Sequence, residues 1–364
     1  MDGDIARLVN EIRGNVEDNT PRAAARLMSL LENQPARIAD LYTGADDWPL
    51  PSMVVGITGP PGAGKSTLVD QLVGACRKRH PQRRVGVIAV DPSSPFTRGS
   101  VMGDRVRMMR HATDPRVFVR SLASRGHLGG LALGVKGVLH VMGLMRCGLI
   151  LIETVGVGQS EIEVAEFADL VAVVLAPGQG DGIQLLKAGL MEAGDLFVVN
   201  KSDRDGADQL HAQLLASQTL RHSTGAHADP VPVCMTSARV GEGIDELLDL
   251  LEQRHVENAD ELAARRRQRF EQEVREAVLR EAQTRLAKAL DVTGAARDDI
   301  RRVLLGQVSV GELADALLRD ALQQLSQPTE GHADEERPDE QTGGVNGNAA
   351  MGGDDPRKDP RTLS

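Results

Sequence analysis

Gly59-Pro60-Pro61-Gly62-Ala63-Gly64-Lys65-Ser66 follows the apolar run Val54-Val55-Gly56-Ile57-Thr58 and precedes Thr67-Leu68-Val69-Asp70-Gln71-Leu72-Val73, which has helical spacing. A strand, a glycine-rich G-x-x-x-x-G-K-[ST] turn and a helix in that order make a phosphate-binding loop. The glycines let backbone N–H groups wrap an anion, the helix beginning near Lys65 adds its positive end, and Lys65 reaches the β- and γ-phosphates. Ser66 is expected to ligate magnesium, and Thr67 to lie near the α-phosphate.

Outward from this loop, short apolar runs recur: V-G-V-I-A-V at 85–90, L-I-L-I-E at 149–153, L-V-A-V-V-L at 170–175, L-F-V-V-N at 196–200 and V-P-V-C-M at 231–235. Stretches long enough for helices separate them, which predicts a mostly parallel sheet covered on both faces. The expected fold is α/β: a three-layer P-loop domain over 50–255, closed by the helix I-D-E-L-L-D-L-L at 244–251. Residues 1–49 read as a helical extension, with Thr20-Pro21 as N-cap and first-turn proline.

Residues 256–327 read as a helical arm suited to self-association. Within it Leu262, Phe270, Val274, Val278, Ala282, Leu286 and Leu290 recur at intervals near four, and Ser309-Val310-Gly311-Glu312 has capping-box spacing. Residues 328–364, rich in Gly, Asp, Glu and Pro, read as a disordered tail.

A phosphate loop does not choose the base; Asn200-Lys201-Ser202-Asp203, after the strand L-F-V-V-N, does. A carboxylate at Asp203 accepts both N1–H and the exocyclic N–H of guanine, whereas adenine offers a lone pair at N1 and no amine there. ATP would leave that carboxylate unpaired, at a cost of about 1–3 kcal/mol. Asn200 is expected to brace the loop and Lys201 to lay its stem on the base. Ser237-Ala238-Arg239, after the next strand, reads as the second base loop, with the Ala238 N–H facing guanine O6. The ligands expected are therefore GTP and GDP, with Mg2+.

Two acids at strand ends complete the expected metal site: Asp91, opening D-P-S-S-P-F-T-R-G-S, and Glu153, opening E-T-V-G-V-G-Q. In open parallel sheets ligands gather at the carboxyl ends of strands. Both acids should hold magnesium, and Glu153 should also position the attacking water; Lys65, Asp91 and Glu153 are the catalytic set. Asp104 is a further metal candidate, with a helix N-cap as its other reading. Gly156 offers a backbone N–H to the γ-phosphate, making 154–160 a switch segment, and 177–182 is a second glycine-rich loop. His127 is left unassigned, and Arg265-Arg266-Arg267, interleaved with acids, reads as a solvated helix face.

Composition removes other classes. Of 364 residues 41% are hydrophobic and 26% charged, ordinary for a globular chain, while only 2% are aromatic, so the core must be aliphatic. A net charge of -10 and the scarcity of rings exclude a broad nucleic-acid surface. Cys76, Cys147 and Cys234 are far apart and read as reduced structural thiols. No basic start, apolar leader or stretch of the ~18 apolar residues of a membrane span appears, so a cytoplasmic protein without a membrane partner is expected.

The set G-P-P-G-A-G-K-S-T, D-P-S-S-P-F-T-R-G-S, S-R-G-H-L-G-G, E-T-V-G-V-G-Q-S-E and N-K-S-D closely resembles the MeaB/ArgK family of G-proteins, within the signal-recognition-like SIMIBI class. The resemblance covers roughly residues 5–325. It implies a homodimeric GTPase that chaperones an adenosylcobalamin-dependent acyl-CoA mutase, typically methylmalonyl-CoA mutase, gating cofactor loading and protecting or reactivating the mutase. The family's third switch usually reads P-G-x-G-D-E-L-Q-G-I-K-K-G; here Asp181, Gln184 and Lys187 match, while Gly182 and Leu185 depart. A mutase acting on isobutyryl- or hydroxyisobutyryl-CoA is therefore an alternative client. The other classes weighed are a metal-insertion GTPase, which predicts paired Cys or His ligands near the switches, and a P-loop kinase or ATPase, which Asp203 opposes.

Overall fold

The structure, a computed structural model, describes residues 3–14, 20–42, 53–92, 109–111, 113–124, 128–154, 164–178, 194–223, 231–293 and 301–326. In chain order the elements are α1 (Gly3–Gly14), α2 (Thr20–Asn33), a 3-10 helix (Pro35–Tyr42), β1 (Val54–Thr58), α3 (Lys65–Arg79), β2 (Arg84–Pro92), β3 (Val117–Ser124), α4 (Leu128–Leu144), β4 (Cys147–Thr154), β5 (Leu170–Leu175), β6 (Leu196–Asn200), α5 (Ala207–Ser223), β7 (Val233–Thr236), α6 (Ile244–Glu257), α7 (Ala259–Thr293) and α8 (Val310–Ser326). Among the described residues no helix is long and apolar enough to cross a membrane. The chain divides into two compact units, residues 1–285 and 286–364.

Seven strands form one sheet in the order β3-β2-β4-β1-β5-β6-β7, every neighbouring pair parallel. Successive side chains of a strand point to opposite faces, and the core divides accordingly. On one face Val55, Ile57, Val87, Leu149, Leu151, Ala172 and Val174 pack with Leu68, Leu72 and Cys76 of α3 and Leu247, Leu248 and Leu251 of α6. On the other, Val54, Ile88, Ile150, Ile152, Val171 and Val173 pack with α4 and α5. Three layers result, and the core is aliphatic as composition requires: among the described residues Phe197 is the one aromatic of the largest fully buried side chains.

The amino-terminal helices join the same core. Ile5, Leu8, Val9 and Ile12 of α1, at helical spacing, and Ala24, Leu27, Met28 and Leu31 of α2 lie in one cluster with Val138, Val141 and Met142 of α4. Arg120 of β3 pairs with Glu32 of α2 and donates to Ser29 Oγ at 3.2 Å. α2 begins at Thr20 itself, one residue earlier than a Thr20 N-cap predicts.

Two elements differ from the sequence reading. β3, V-F-V-R-S-L-A-S, is the edge strand beside β2, half-buried, so it lacks the continuous apolar run that marks the inner strands. On α7 only Leu262 of the expected stripe is buried among the described residues; Phe270, Val274 and Val278 are exposed. A strict spacing of four winds about 40° around a helix per step, because 3.6 residues make a turn. The α7 positions that turn inward within the first unit are Leu262, Arg266, Glu273 and Ala277, a face with true helical period on which two of the four are charged. The capping box is present: Glu312 N–H donates to Ser309 Oγ at 3.2 Å, and Ser309 N–H donates to Glu312 Oε2 at 2.9 Å.

Candidate nucleotide site

β1 lies at the middle of the sheet; the chain leaves it toward β2, β3 and β4 on one side and toward β5, β6 and β7 on the other. Parallel α/β sheets bind ligands outside the carboxyl ends of the strands at such a reversal. Gly59, Gly62 and Gly64 there have φ of 134°, 78° and 95°, a region that side chains disfavour. Space is as restrictive: a Cβ on Gly59 would lie 2.1 Å from Val174 O, and one on Gly64 would lie 2.4 Å from Asn200 Nδ2.

α3 starts at Lys65 with Gly64 as N-cap and no side-chain cap, so its first N–H groups face the loop's concave side. Lys65 is 6% exposed, its Nζ donating to Gly59 O at 2.7 Å and Pro60 O at 3.1 Å. The ammonium is thus held inside the loop. Ser66 Oγ donates to Glu153 Oε1 at 2.5 Å, joining the first turn of α3 to the end of β4. Glu153 is buried and pairs in register with Ile57 of β1 and Ala89 of β2. Beside it Thr154 Oγ1 donates to Thr58 Oγ1 at 3.2 Å. Pro61 and Thr67 are exposed on the loop's open side.

The base loops meet at Asn200, 1% exposed. Its Nδ2 donates to Ala63 O at 2.8 Å, and its Oδ1 accepts from Thr236 Oγ1 at 3.3 Å and Ala238 N–H at 3.1 Å. The expected brace is present and spans both loops. The Ala238 N–H, expected to face guanine O6, donates here to the Asn200 carboxamide oxygen. Lys201, at φ 60°, extends over the phosphate loop, Nζ donating to Gly62 O at 2.6 Å. Asp203 Oδ1 accepts from Ser237 Oγ at 2.5 Å, and this bond holds the exposed carboxyl below the usual carboxylate range. Arg239 is exposed beyond it.

Asp91 lies at the carboxyl end of β2, in register with Ala123 of β3; its side chain, with Asp104, His127, Gly156 and the loop after Gly178, falls outside the described residues. The three cysteines are unbridged, and burial pushes the Cys147 thiol up to about 12 and the Cys234 thiol up to about 11.

One group escapes sequence reasoning. Asp70 of α3, buried, pairs with Arg110, and His111 Nε2 lies 3.1 Å from Asp70 Oδ1. One turn further the His111 ring lies beside Gly74, and Arg77 pairs with Asp114 at 2.8 Å. Asp70 and Arg77 thus lie along one side of α3 and hold Arg110, His111 and Asp114. An acid on the apolar side of a helical pattern was the available signal.

A parallel three-layer α/β domain with this loop, tied through Asn200 to residues 236–238, has the build of a P-loop GTPase, and the comparisons bear out that class. The family model described as methylmalonyl Co-A mutase-associated GTPase MeaB matches residues 24–291, and the chain belongs to that family. A relative from Pyrococcus abyssi, named as a GTPase, is 39% identical over 86% of this chain and 97% of its own length. GTPase ArgK of Escherichia coli is 38% identical over 61% of this chain and 69% of its own. The mouse mitochondrial methylmalonic aciduria type A homolog is 35% identical over 73% of this chain and 64% of its own. Among solved structures an LAO/AO transport system kinase superposes with a TM-score of 0.58 at 23% identity, covering 90% of this chain and 99% of its own, which supports the fold.

Proposed function

We propose that the chain binds GTP with magnesium at residues 59–67, 200–203 and 237–239 and uses its hydrolysis to chaperone an adenosylcobalamin-dependent acyl-CoA mutase. The observation that carries the nucleotide part is Asn200, which ties Ala63 of the phosphate loop to Ala238 of the base loop and so sets phosphates and guanine at a fixed separation. Asp203, kept ionised by Ser237, is the guanine acceptor. Ser66 and Glu153 fit a magnesium ion: a hydroxyl and a carboxylate, the hard oxygen donors this cation takes, already meet beside the loop. Bound there with Asp91, the cation would neutralise charge on the β- and γ-phosphates. Lys65 supplies the chain's own cation to the same oxygens, and Glu153 orients the attacking water.

The mutase part rests on the family's name and on the mouse relative. Self-association belongs to the same reading: Phe270, Val274, Val278 and Leu279 leave an apolar strip exposed on α7, fitted to a second copy in a homodimer. A cytoplasmic location is part of it as well. The test is GTP hydrolysis by the purified chain, with ATP as control, alone and with a panel of adenosylcobalamin-dependent mutases acting on methylmalonyl-, isobutyryl- and hydroxyisobutyryl-CoA. Stimulation by one of them is expected; GTP turnover indifferent to all of them counts against the chaperone role.

A further inference from the structure

Arg265-Arg266-Arg267, which the sequence reads as a solvated face, contains a buried contact that the nucleotide site does not use. Arg266 grips Asp169 with two nitrogens, Nε donating to Oδ1 at 2.8 Å and Nη2 to Oδ2. Asp169 is 2% exposed and is bound on its other side to the phosphate-loop strand: Val54 N–H donates to Oδ2 at 2.8 Å, and Asp169 N–H donates to Val54 O at 2.8 Å. Val54 opens β1, which runs straight into Gly59. Arg265 lies 3.7 Å from Asp195, whose Oδ2 accepts the Val171 N–H of β5 at 2.7 Å. Two arginines of α7 therefore hold the carboxylates that close the amino ends of β1 and β5, at the edge of the sheet opposite the phosphate loop.

The turn before Asp169 is fitted tightly to the same strand. A Cβ on Gly56, in the middle of β1, would lie 2.7 Å from Val164 Cγ2 and 3.1 Å from Ala168 Cβ, so 164–168 sits flush on β1. Any shift of Asp169 must move β1 or open that contact, since packed interiors do not deform continuously. The seating of α7 on this surface is otherwise polar: Glu273 lies 3.2 Å from His140, and Lys136 donates to Glu276 at 3.1 Å. Among the described residues of α7 only Leu262 and Ala277 add buried apolar side chains. A helix held mainly by ion pairs can be re-seated without exposing a large apolar area.

We propose that α7 is an allosteric lever on the nucleotide site, acting through Arg266, Asp169 and β1. The seating of Arg266 on Asp169 differs in free energy between the GDP- and GTP-bound states, so a protein that engages α7 changes nucleotide preference, and the nucleotide changes how α7 is held, by the same factor. Asp169 is a positioning residue here; it touches no nucleotide. The inference rests on reading 59–66 as the phosphate site.

The experiment is titration of the full chain with GDP and with the slowly hydrolysed analogue GTPγS, for the unmodified chain, R266A, R266K and K65A, alongside melting temperatures. The lever predicts that the ratio of the two dissociation constants shifts at least about fivefold in R266A. R266K should fall between, because lysine keeps the charge and loses the two-pronged grip. A ratio held within about twofold in R266A and R266K while their melting temperatures fall makes Arg266 a strut and overturns the lever, because coupling must appear in that ratio. K65A binding both nucleotides normally would instead overturn the phosphate site, and with it the route through β1.

Discussion

Lys65 sits inside a loop whose own carbonyls, Gly59 O and Pro60 O, already hold its ammonium, so the positive charge is in place before any phosphate arrives. A hydrogen bond to a charged group contributes about 1.5–3 kcal/mol. Lys65→Ala should therefore weaken GTP and GDP by roughly tenfold to a hundredfold with little loss of melting temperature; unchanged affinity in a nucleotide titration would sink the phosphate-loop reading. Cys147 gives a test of burial at the same scale. Its thiol is raised from an ordinary 9.0 to about 12 by desolvation, so the folded state favours the neutral form. That contribution to stability is complete below 9.0 and is lost as pH rises from there toward 12. Cys147 should resist iodoacetamide at pH near 9 in the folded chain and react once denaturant is added, followed by peptide mass; equal labelling in both states would contradict the burial. Chemical identity at this scale was legible, because Glu153 and Asn200 stand where strand ends demand them. Their partners, Ser66 and Ala63, lie 87 and 137 residues away in the chain, and only folding brings them to hydrogen-bond distance.

The inner strands announce themselves as elements by continuous apolar runs, since both faces are covered. β3 does not, because an edge strand half-open to water tolerates Arg120 in its middle. α7 was legible as a helix and misleading in its face: Phe270, Val274 and Val278 of the apolar stripe turn outward, and Arg266 and Glu273 turn inward onto Asp169 and His140. Two predictions separate these faces. The pair Phe270→Ser and Val278→Ser should cost no more than about 0.5 kcal/mol each in stability, as exposed positions do, yet reduce the dimer fraction in light scattering with GTP. A monomer before substitution would remove the proposed role of that strip.

For the whole molecule the consequence concerns where the nucleotide-binding body begins. Leu27 of α2 is fully buried among Met28, Val138 and Met142, in the core that also holds Ile150 and Ile152 of the sheet. Leu27→Ala should cost about 2–5 kcal/mol and lower the single melting transition that GTP raises. A separate early transition, with the GTP-stabilised one unmoved, would make the amino-terminal helices an independent appendage.

By itself the sequence determined the layer order, the phosphate loop and the choice of guanine. Those depend on local periodicity and on short motifs whose backbone conformation nearby residues dictate. Tertiary structure alone decided that Asn200 accepts the Ala238 N–H, that β3 closes the sheet beside β2, and that Arg266 of α7 reaches the first residue of the phosphate-loop strand through Asp169. Each of these joins groups far apart in the chain, and a contact set by the packing of whole elements leaves no periodic trace in the residues that make it.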